Sequence, residues 1–133
     1  MPTNPAMAII LAAGKGTRLN STVPKPLHEV AGRPLLQFSL DLCHQAGLGP
    51  TILVYDADFP EVMRSAGAKA KAIPQPGHLY GTGHAVQTAL LAQPQHTATV
   101  VVLYADTPLL QPDTVTRLIT LRAKSEAAIV ILS

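Results

Sequence analysis

A glycine turn followed by three cations is the first feature of this chain that could do chemistry. Between Leu11 and Leu27 the sequence reads L-A-A-G-K-G-T-R-L-N-S-T-V-P-K-P-L. Glycines let successive backbone N–H groups point into one concavity, which binds anionic oxygens. Lys15, Arg18 and Lys25 add positive charge, the arginine as a planar fork and the lysines as point charges. The segment therefore predicts a polyphosphate-binding loop.

Spacing excludes two better-known phosphate loops. The P-loop requires Gly-Lys followed by Ser or Thr, whereas Lys15 is followed by Gly16. The dinucleotide fingerprint G-x-G-x-x-G requires a third glycine where this chain has Leu19. The glycine turn is therefore predicted to be a phosphate loop of a different class.

An aspartate after an apolar run is the second candidate. Asp106 follows Val100 to Tyr104 in the string V-V-L-Y-A-D-T-P-L-L. A carboxylate held at the edge of a sheet can bind a Mg²⁺ ion that also bridges phosphate oxygens. The alternative is a role in a turn, because Asp-Thr-Pro is also a good turn sequence. The cationic glycine loop favours the metal role.

A second glycine cluster, Q-P-G-H-L-Y-G-T-G-H-A, extends from Gln75 to Ala85. An amide such as that of Gln75 donates and accepts at once, which suits the edge of a nucleobase. Thr82 is placed to cap a helix. A plain flexible turn is the alternative. His84 is interpreted as an orienting or packing residue rather than an acid–base catalyst.

Apolar runs of strand length alternate with helical patterns along the chain. The predicted strands are 6–11, 51–55, 69–73, 97–104 and 127–132, and the predicted helices are 35–45, 59–64, 83–93 and 114–123. The alternation predicts an α/β fold, with a Rossmann-like, doubly wound, mostly parallel sheet in three α/β/α layers. Ligands of such sheets bind beyond the carboxyl ends of the strands. The glycine loop and Asp106 both follow predicted strands there.

Composition narrows the function further. The 133 residues suit one small domain, and 47% hydrophobic against 14% charged residues indicate a globular chain with a large core. A net charge of +2 and 4% aromatic residues argue against a nucleic-acid partner, and no segment approaches the length of a membrane span. The single cysteine, Cys43, is interpreted as a packing residue and favours a reducing, cytoplasmic location.

The motifs in this order resemble the nucleotidyltransferase (sugar pyrophosphorylase) superfamily, and within it most closely the N-acetylglucosamine-1-phosphate uridylyltransferases. The resemblance rests on L-A-A-G-K-G-T-R-L with P-K-P-L-H-E-V-A-G-R-P-L-L, on Q-P-G-H-L-Y-G-T-G-H-A and on L-Y-A-D-T-P-L-L, and it spans the chain. It implies UTP and a sugar 1-phosphate as substrates, Mg²⁺ as cofactor, and UDP-N-acetylglucosamine, a cell-envelope precursor, as product. The open alternatives are a nucleotide-binding module, an inactive truncated fragment, and a relative with another sugar phosphate or nucleotide.

The resemblance also implies roles for matching residues. Arg18 and Lys25 would be catalytic, stabilising the triphosphate, and Asp106 would hold the metal. The nucleotide would be bound by Leu11, Ala12, Ala13, Gly14, Lys25, Gln75, Gly81, Thr82, Tyr104, Ala105 and Asp106. The uracil would contact the glutamine, Gly81 and Thr82 of that set. Where Ala105 stands the family usually has glycine, and its loop between Gln75 and Gly81 is usually one residue shorter.

The family's sugar-binding half and its β-helix acetyltransferase domain have no counterpart in residues 1–133. The chain is therefore expected to be the nucleotide-binding half of a pyrophosphorylase domain, and acetyl transfer is not expected of it. The predicted strand at 127–132 would leave an open sheet edge after Leu132, which is a route to self-association.

Overall fold

A four-stranded parallel sheet is the centre of the fold in this computed structural model, which describes residues 6–14, 19–76, 81–94 and 99–133. The strands are β1 Met7–Ala12, β2 Glu29–Val30, β3 Arg33–Pro34, β4 Thr51–Asp56, β5 Lys71–Gln75 and β6 Val100–Tyr104. The helices are α1 Leu35–Gln45, α2 Pro60–Ala66, α3 Thr82–Ala92 and α4 Pro112–Ser125, with 3₁₀ turns at Lys25–Leu27 and Gly67–Lys69. None of the described helices has the length and apolar character of a membrane span.

The strand order of the main sheet is β5-β4-β1-β6, and every neighbouring pair is parallel. Ile10 in β1 lies in register with Leu53 of β4 on one side and with Leu103 of β6 on the other. From β1 the chain moves outward to β4 and β5, and then returns to place β6 on the opposite side. This reversal is the switch point of a doubly wound sheet, so the predicted topology is confirmed.

Helices cover both faces of the sheet. All six residues of β1 are buried, and they alternate between two clusters because strand side chains alternate between faces. Ala8 and Ile10 pack with residues of α1, α2 and α4, whereas Met7 and Ile9 pack with α3. The result is the predicted three-layer α/β/α arrangement.

Helix α1 shows why its bounds were predictable. Leu36, Leu40 and Cys43 recur at helical spacing, and all three are buried against the sheet. The helix ends in a Schellman motif, in which Gly47, at φ +67°, donates to the His44 carbonyl and Leu48 donates to the Cys43 carbonyl. Burial raises the pKa of the Cys43 thiol to about 11, which agrees with a packing role.

Strand β5 begins and ends two residues later than predicted. The Gly67–Lys69 turn delays its start, and Pro74 lies inside it, in register with Tyr55 of β4. Proline is tolerated there because β5 is an edge strand and needs no ladder hydrogen bond on its outer side. The β2–β3 hairpin was not predicted, because its strands have only two residues each. Ala31 and Gly32 form its turn, with φ of 52° and 74°.

The predicted strand at 127–132 is wrong. These residues follow α4 and form no strand, and the side chains of Ile129 and Ile131 are 77% and 79% exposed. An apolar run becomes a strand only when a neighbour pairs with its backbone, and none of the described strands does so. The open edge predicted after Leu132 is therefore also wrong. Within the described sheet the edges are β5 and β6.

Candidate functional site

Three loops meet at the carboxyl end of the sheet. β1 leads into Gly14, β5 ends at Gln75, and β6 leads into Asp106. The ends of β5 and of the neighbouring strands β1 and β6 border a crevice at this edge of the sheet.

A cleft of about 260 Å³ occupies this crevice. Its lining includes all eleven residues predicted to bind nucleotide: Leu11, Ala12, Ala13, Gly14, Lys25, Gln75, Gly81, Thr82, Tyr104, Ala105 and Asp106. Two further lining residues, Pro26 and Ala85, were not predicted. Each belongs to one of the motifs, so proximity in sequence was the signal that could have found them. The individual roles of the eleven residues stay predictions.

Arg18, the other predicted catalytic residue, lies outside the described residues, as do Lys15 and Gly16 of the glycine turn. Of the three predicted cations, Lys25 is therefore the one that lies within the described residues.

Lys25 and Asp106 form an ion pair at the cleft, with 2.6 Å between Nζ and Oδ2. The lysine begins a 3₁₀ turn flanked by Pro24, and His28 closes this turn by bonding the Val23 carbonyl through Nε2 at 3.0 Å. The Lys25 and Asp106 side chains are 39% and 34% exposed, so water screens their attraction. An ion pair of this kind contributes only about 0–1 kcal/mol, which makes it easy for a charged ligand to replace.

The backbone before Asp106 is fixed by three hydrogen bonds. The Tyr104 carbonyl accepts from the Ser39 hydroxyl at 3.2 Å and from the Thr107 hydroxyl at 3.1 Å. The next amide, that of Ala105, donates to the Leu11 carbonyl at 3.1 Å. Ser39 is buried on α1, so the helix beneath the sheet holds the strand end that carries the carboxylate. No motif in the sequence indicated a role for this serine.

Ala105 is buried, and it packs with the cluster formed by α1, α2 and α4. The methyl group that distinguishes it from the glycine usual in the family is therefore accommodated in the core beside the cleft.

The Gln75 side chain lies at the end of β5, the edge strand farthest from β6 and Asp106. It is only 4% exposed, and its Nε2 lies 2.8 Å from Nδ1 of His84 in the first turn of α3. The Gln75 carbonyl accepts from the Ala57 amide at 3.1 Å. The orienting role predicted for His84 agrees with this contact.

Gly81, rather than Thr82, is the N-cap of α3, and among the described residues no side-chain hydrogen bond caps the helix start. The predicted capping role of Thr82 is therefore wrong, since this residue is already the first residue of the helix. Gly81 has φ +101° and ψ 149°, a region that only glycine adopts without strain. The backbone conformation at position 81, beside the cleft, therefore requires glycine.

A metal ion would find one carboxylate here. Among the described residues, no three His, Cys, Asp or Glu side chains are grouped as a metal site. Asp106 nevertheless offers hard oxygens at the cleft, and Mg²⁺ retains waters and takes phosphate oxygens as its other ligands. The residues present therefore fit a metal that is bound together with a phosphate ligand.

The fold and the cleft define a nucleotidyltransferase domain. Residues 8–133 match the MobA-like NTP transferase domain, and the chain belongs to this family. It is 41% identical over 127 residues to the bifunctional protein GlmU of Pelobacter propionicus, a match that covers 95% of this chain and 28% of that protein. For GlmU of Caulobacter vibrioides the identity is 45% over 112 residues, covering 81% and 24%. The chain thus spans about a quarter of the length of these relatives.

Solved structures share the fold. Rv0371c from Mycobacterium tuberculosis aligns with a TM-score of 0.76 at 24% identity, covering 91% of this chain and 62% of that one. A UDP-glucose pyrophosphorylase complexed with UDP-glucose aligns with a TM-score of 0.72 at 18% identity, covering 92% and 55%. Rv0371c is also known in complex with manganese, in a structure with a TM-score of 0.66 at 22% identity, covering 89% and 59%. Identities this low support the fold alone.

Proposed function

We propose that this domain binds UTP together with Mg²⁺ and transfers the uridylyl group to N-acetylglucosamine 1-phosphate, giving UDP-N-acetylglucosamine and pyrophosphate. One observation carries the proposal: a cation, a carboxylate and a buried amide line the same cleft, namely Lys25, Asp106 and Gln75. The identity of 35–45% to several GlmU proteins supports this choice of substrates over those of other family members.

The spacing of the strands suits a nucleoside triphosphate. β5 and β6 are separated by β4 and β1, and adjacent strands lie about 4.8 Å apart, so Gln75 and Asp106 stand about 14 Å apart across the sheet. We place the base beside Gln75, Gly81 and Thr82, and the phosphates beside Lys25 and Asp106. Gly14, which follows β1 and lines the cleft, then lies between the two, along the nucleotide.

The reaction needs positioning and charge neutralisation. An oxygen of the sugar 1-phosphate attacks the α-phosphorus of UTP, and the bond from that phosphorus to the bridging oxygen breaks with release of pyrophosphate. The nucleophile is already ionised, so no side chain removes a proton. Lys25, released from Asp106, donates to phosphate oxygens as charge moves onto the leaving group, and Arg18 is proposed to share this role. Asp106 would hold the Mg²⁺ ion, which would supply further charge neutralisation when bound.

Residues 1–133 are proposed to form the nucleotide-binding half of a pyrophosphorylase domain. All eleven proposed nucleotide contacts lie in this chain, which spans about a quarter of its GlmU relatives. The activity is placed in the cytoplasm, where UTP is available.

Pyrophosphate release tests the proposal. The chain is incubated with UTP, Mg²⁺ and N-acetylglucosamine 1-phosphate, with glucose 1-phosphate and mannose 1-phosphate in parallel, while calorimetry measures UTP binding. Release that depends on the N-acetylglucosamine ester supports the full proposal. Binding of UTP without release under any condition indicates a nucleotide-binding module instead. Failure to bind UTP contradicts the proposal at its root.

A further inference from the structure

We infer that His84 is a positioning residue that fixes the orientation of the Gln75 amide and thereby selects UTP over CTP. The inference rests on the proposed nucleotide site. It begins from the 2.8 Å contact between Gln75 Nε2 and His84 Nδ1.

The chemistry of this contact determines the state of both side chains. In the observed contact the amide nitrogen donates and Nδ1 of His84 accepts, which corresponds to the ring tautomer that carries its hydrogen on Nε2. An acceptor at this position holds the amide with its nitrogen toward α3. Turned by 180°, the amide would place its oxygen against this unprotonated nitrogen, and the contact would stay repulsive until the ring hydrogen moved from Nε2 to Nδ1.

Gln75 also lines the cleft, so the orientation of its amide determines which atom it presents there. With Nε2 engaged by His84, the amide oxygen Oε1 has no hydrogen-bond partner among the described residues. We assign Oε1 to the nucleobase. An oxygen there accepts from a ring N–H, such as N3–H of uracil, and repels the unprotonated N3 of cytosine.

Anchoring makes the selection effective. Gln75 is nearly buried and its backbone carbonyl is bonded by the Ala57 amide, so the residue is held at the end of β5. The His84 ring is carried by the first turn of α3, whose start is fixed by Gly81. The helix therefore supplies the acceptor, and the acceptor sets which hydrogen-bonding group the cleft presents.

Calorimetry with UTP and CTP tests the inference. We expect UTP to bind the wild-type chain about 10- to 100-fold more tightly than CTP. In His84→Ala and His84→Leu this ratio should fall about tenfold, mainly through tighter CTP binding, because the amide is free to turn. His84→Asn should restore the ratio, since its Oδ1 replaces Nδ1 as the acceptor. His44→Ala, an exposed histidine on α1, is the matched control.

A purely structural role gives a different result. If His84 only packs, its replacement lowers binding of both nucleotides equally and leaves the ratio unchanged, which overturns the inference. UTP methylated at N3 provides a test on the wild-type protein, which needs no folded variant. Binding as tight as that of UTP overturns the inference, and weakening of about tenfold or more supports it. If the wild-type chain binds UTP and CTP with equal affinity, this inference is wrong but the proposed nucleotide site stands. If it binds neither nucleotide, both the inference and the proposed site are wrong.

Discussion

Lys25 Nζ lies 2.6 Å from Asp106 Oδ2 across the cleft, so the proposed catalytic cation and the proposed metal ligand are each other's partners before any nucleotide arrives. They are the one cation and the one carboxylate among the described residues that line the cleft. A ligand that brings both phosphate and a divalent ion offers each of them a new partner of opposite charge. Nucleotide and metal are therefore expected to bind together.

Replacing Lys25 with alanine should lower pyrophosphate release at least about 100-fold, the usual cost of losing one group that stabilises transition-state charge. The UTP affinity in Mg²⁺ should fall less, because the base contacts remain. Lys124→Ala, which removes an exposed lysine from α4, should leave release unchanged. Release by the Lys25 variant at the wild-type rate would remove this residue from the mechanism.

Replacing Asp106 with asparagine should have effects of opposite sign with and without metal. In Mg²⁺ the variant should lose the increase in UTP affinity that the metal provides, since asparagine is a weak ligand. In EDTA it should bind UTP up to about fivefold more tightly, because Lys25 is freed from an ion pair worth up to about 1 kcal/mol. Calorimetry measures both, and Asp113→Asn on α4 is the control. Identical behaviour of the two variants would argue against the metal role.

Ser39→Ala should lower the free energy of unfolding by about 1 kcal/mol, the net value of a buried hydrogen bond. The loss stays small because Thr107 still donates to the Tyr104 carbonyl. Ser125→Ala removes a hydroxyl that bonds the Leu121 carbonyl on the exposed side of α4, and should cost less than about 0.5 kcal/mol. Urea unfolding separates the two variants, and equal midpoints would show that the Ser39 contact contributes nothing.

Two glycines at the start of α3 should respond differently to alanine. Gly81 has φ +101°, so Gly81→Ala should cost about 1–3 kcal/mol and weaken UTP binding. Gly83 lies within the helix without such a torsion, and Gly83→Ala should be stabilising by up to about 1 kcal/mol. Among the described residues, no atom lies within 4 Å of the added methyl at either position, so the contrast isolates the backbone torsion. Thermal unfolding measures it, and two equal shifts would contradict the account.

Asp41 should make stability depend on pH in the acid range. Partial burial raises the pKa of its carboxyl, but Lys69, at 3.1 Å, and Arg33 lower it more, so the folded-state pKa lies below 3.8. The unfolded chain then binds a proton first as pH falls. The stabilisation is present above about pH 4 and is lost as pH falls through the folded-state pKa. Urea unfolding should show Asp41→Asn less stable by up to about 1 kcal/mol at pH 7, with the difference gone near pH 2.

The sequence was informative where local pattern and tertiary structure agree. Helical spacing and a glycine stop defined α1 at its observed bounds, and the buried run of β1 led directly to the cleft. The prediction failed at 127–132, because a strand requires a partner that an apolar run does not reveal. The predicted end of β5 was also too early, before Pro74, because only the strand order shows that β5 is an edge strand that tolerates proline.

The lining of the cleft was predictable from motifs, but its supporting contacts were not. Ser39 and Tyr104 are 65 positions apart, and no local pattern connects a serine on α1 to the end of β6. The bond between Gln75 and His84 likewise depends on how β5 is placed beside α3. Such contacts arise from tertiary packing, which spacing along the chain does not encode.

The most direct measurement is a crystal structure of the chain with UTP and Mg²⁺. We expect the nucleotide in the cleft between the ends of β5 and β6, with uracil N3 beside Gln75 Oε1 and with Lys25 turned from Asp106 toward phosphate oxygens. A UTP molecule bound elsewhere, or one in the cleft with the Lys25–Asp106 pair intact and no metal on the carboxylate, would contradict this expectation.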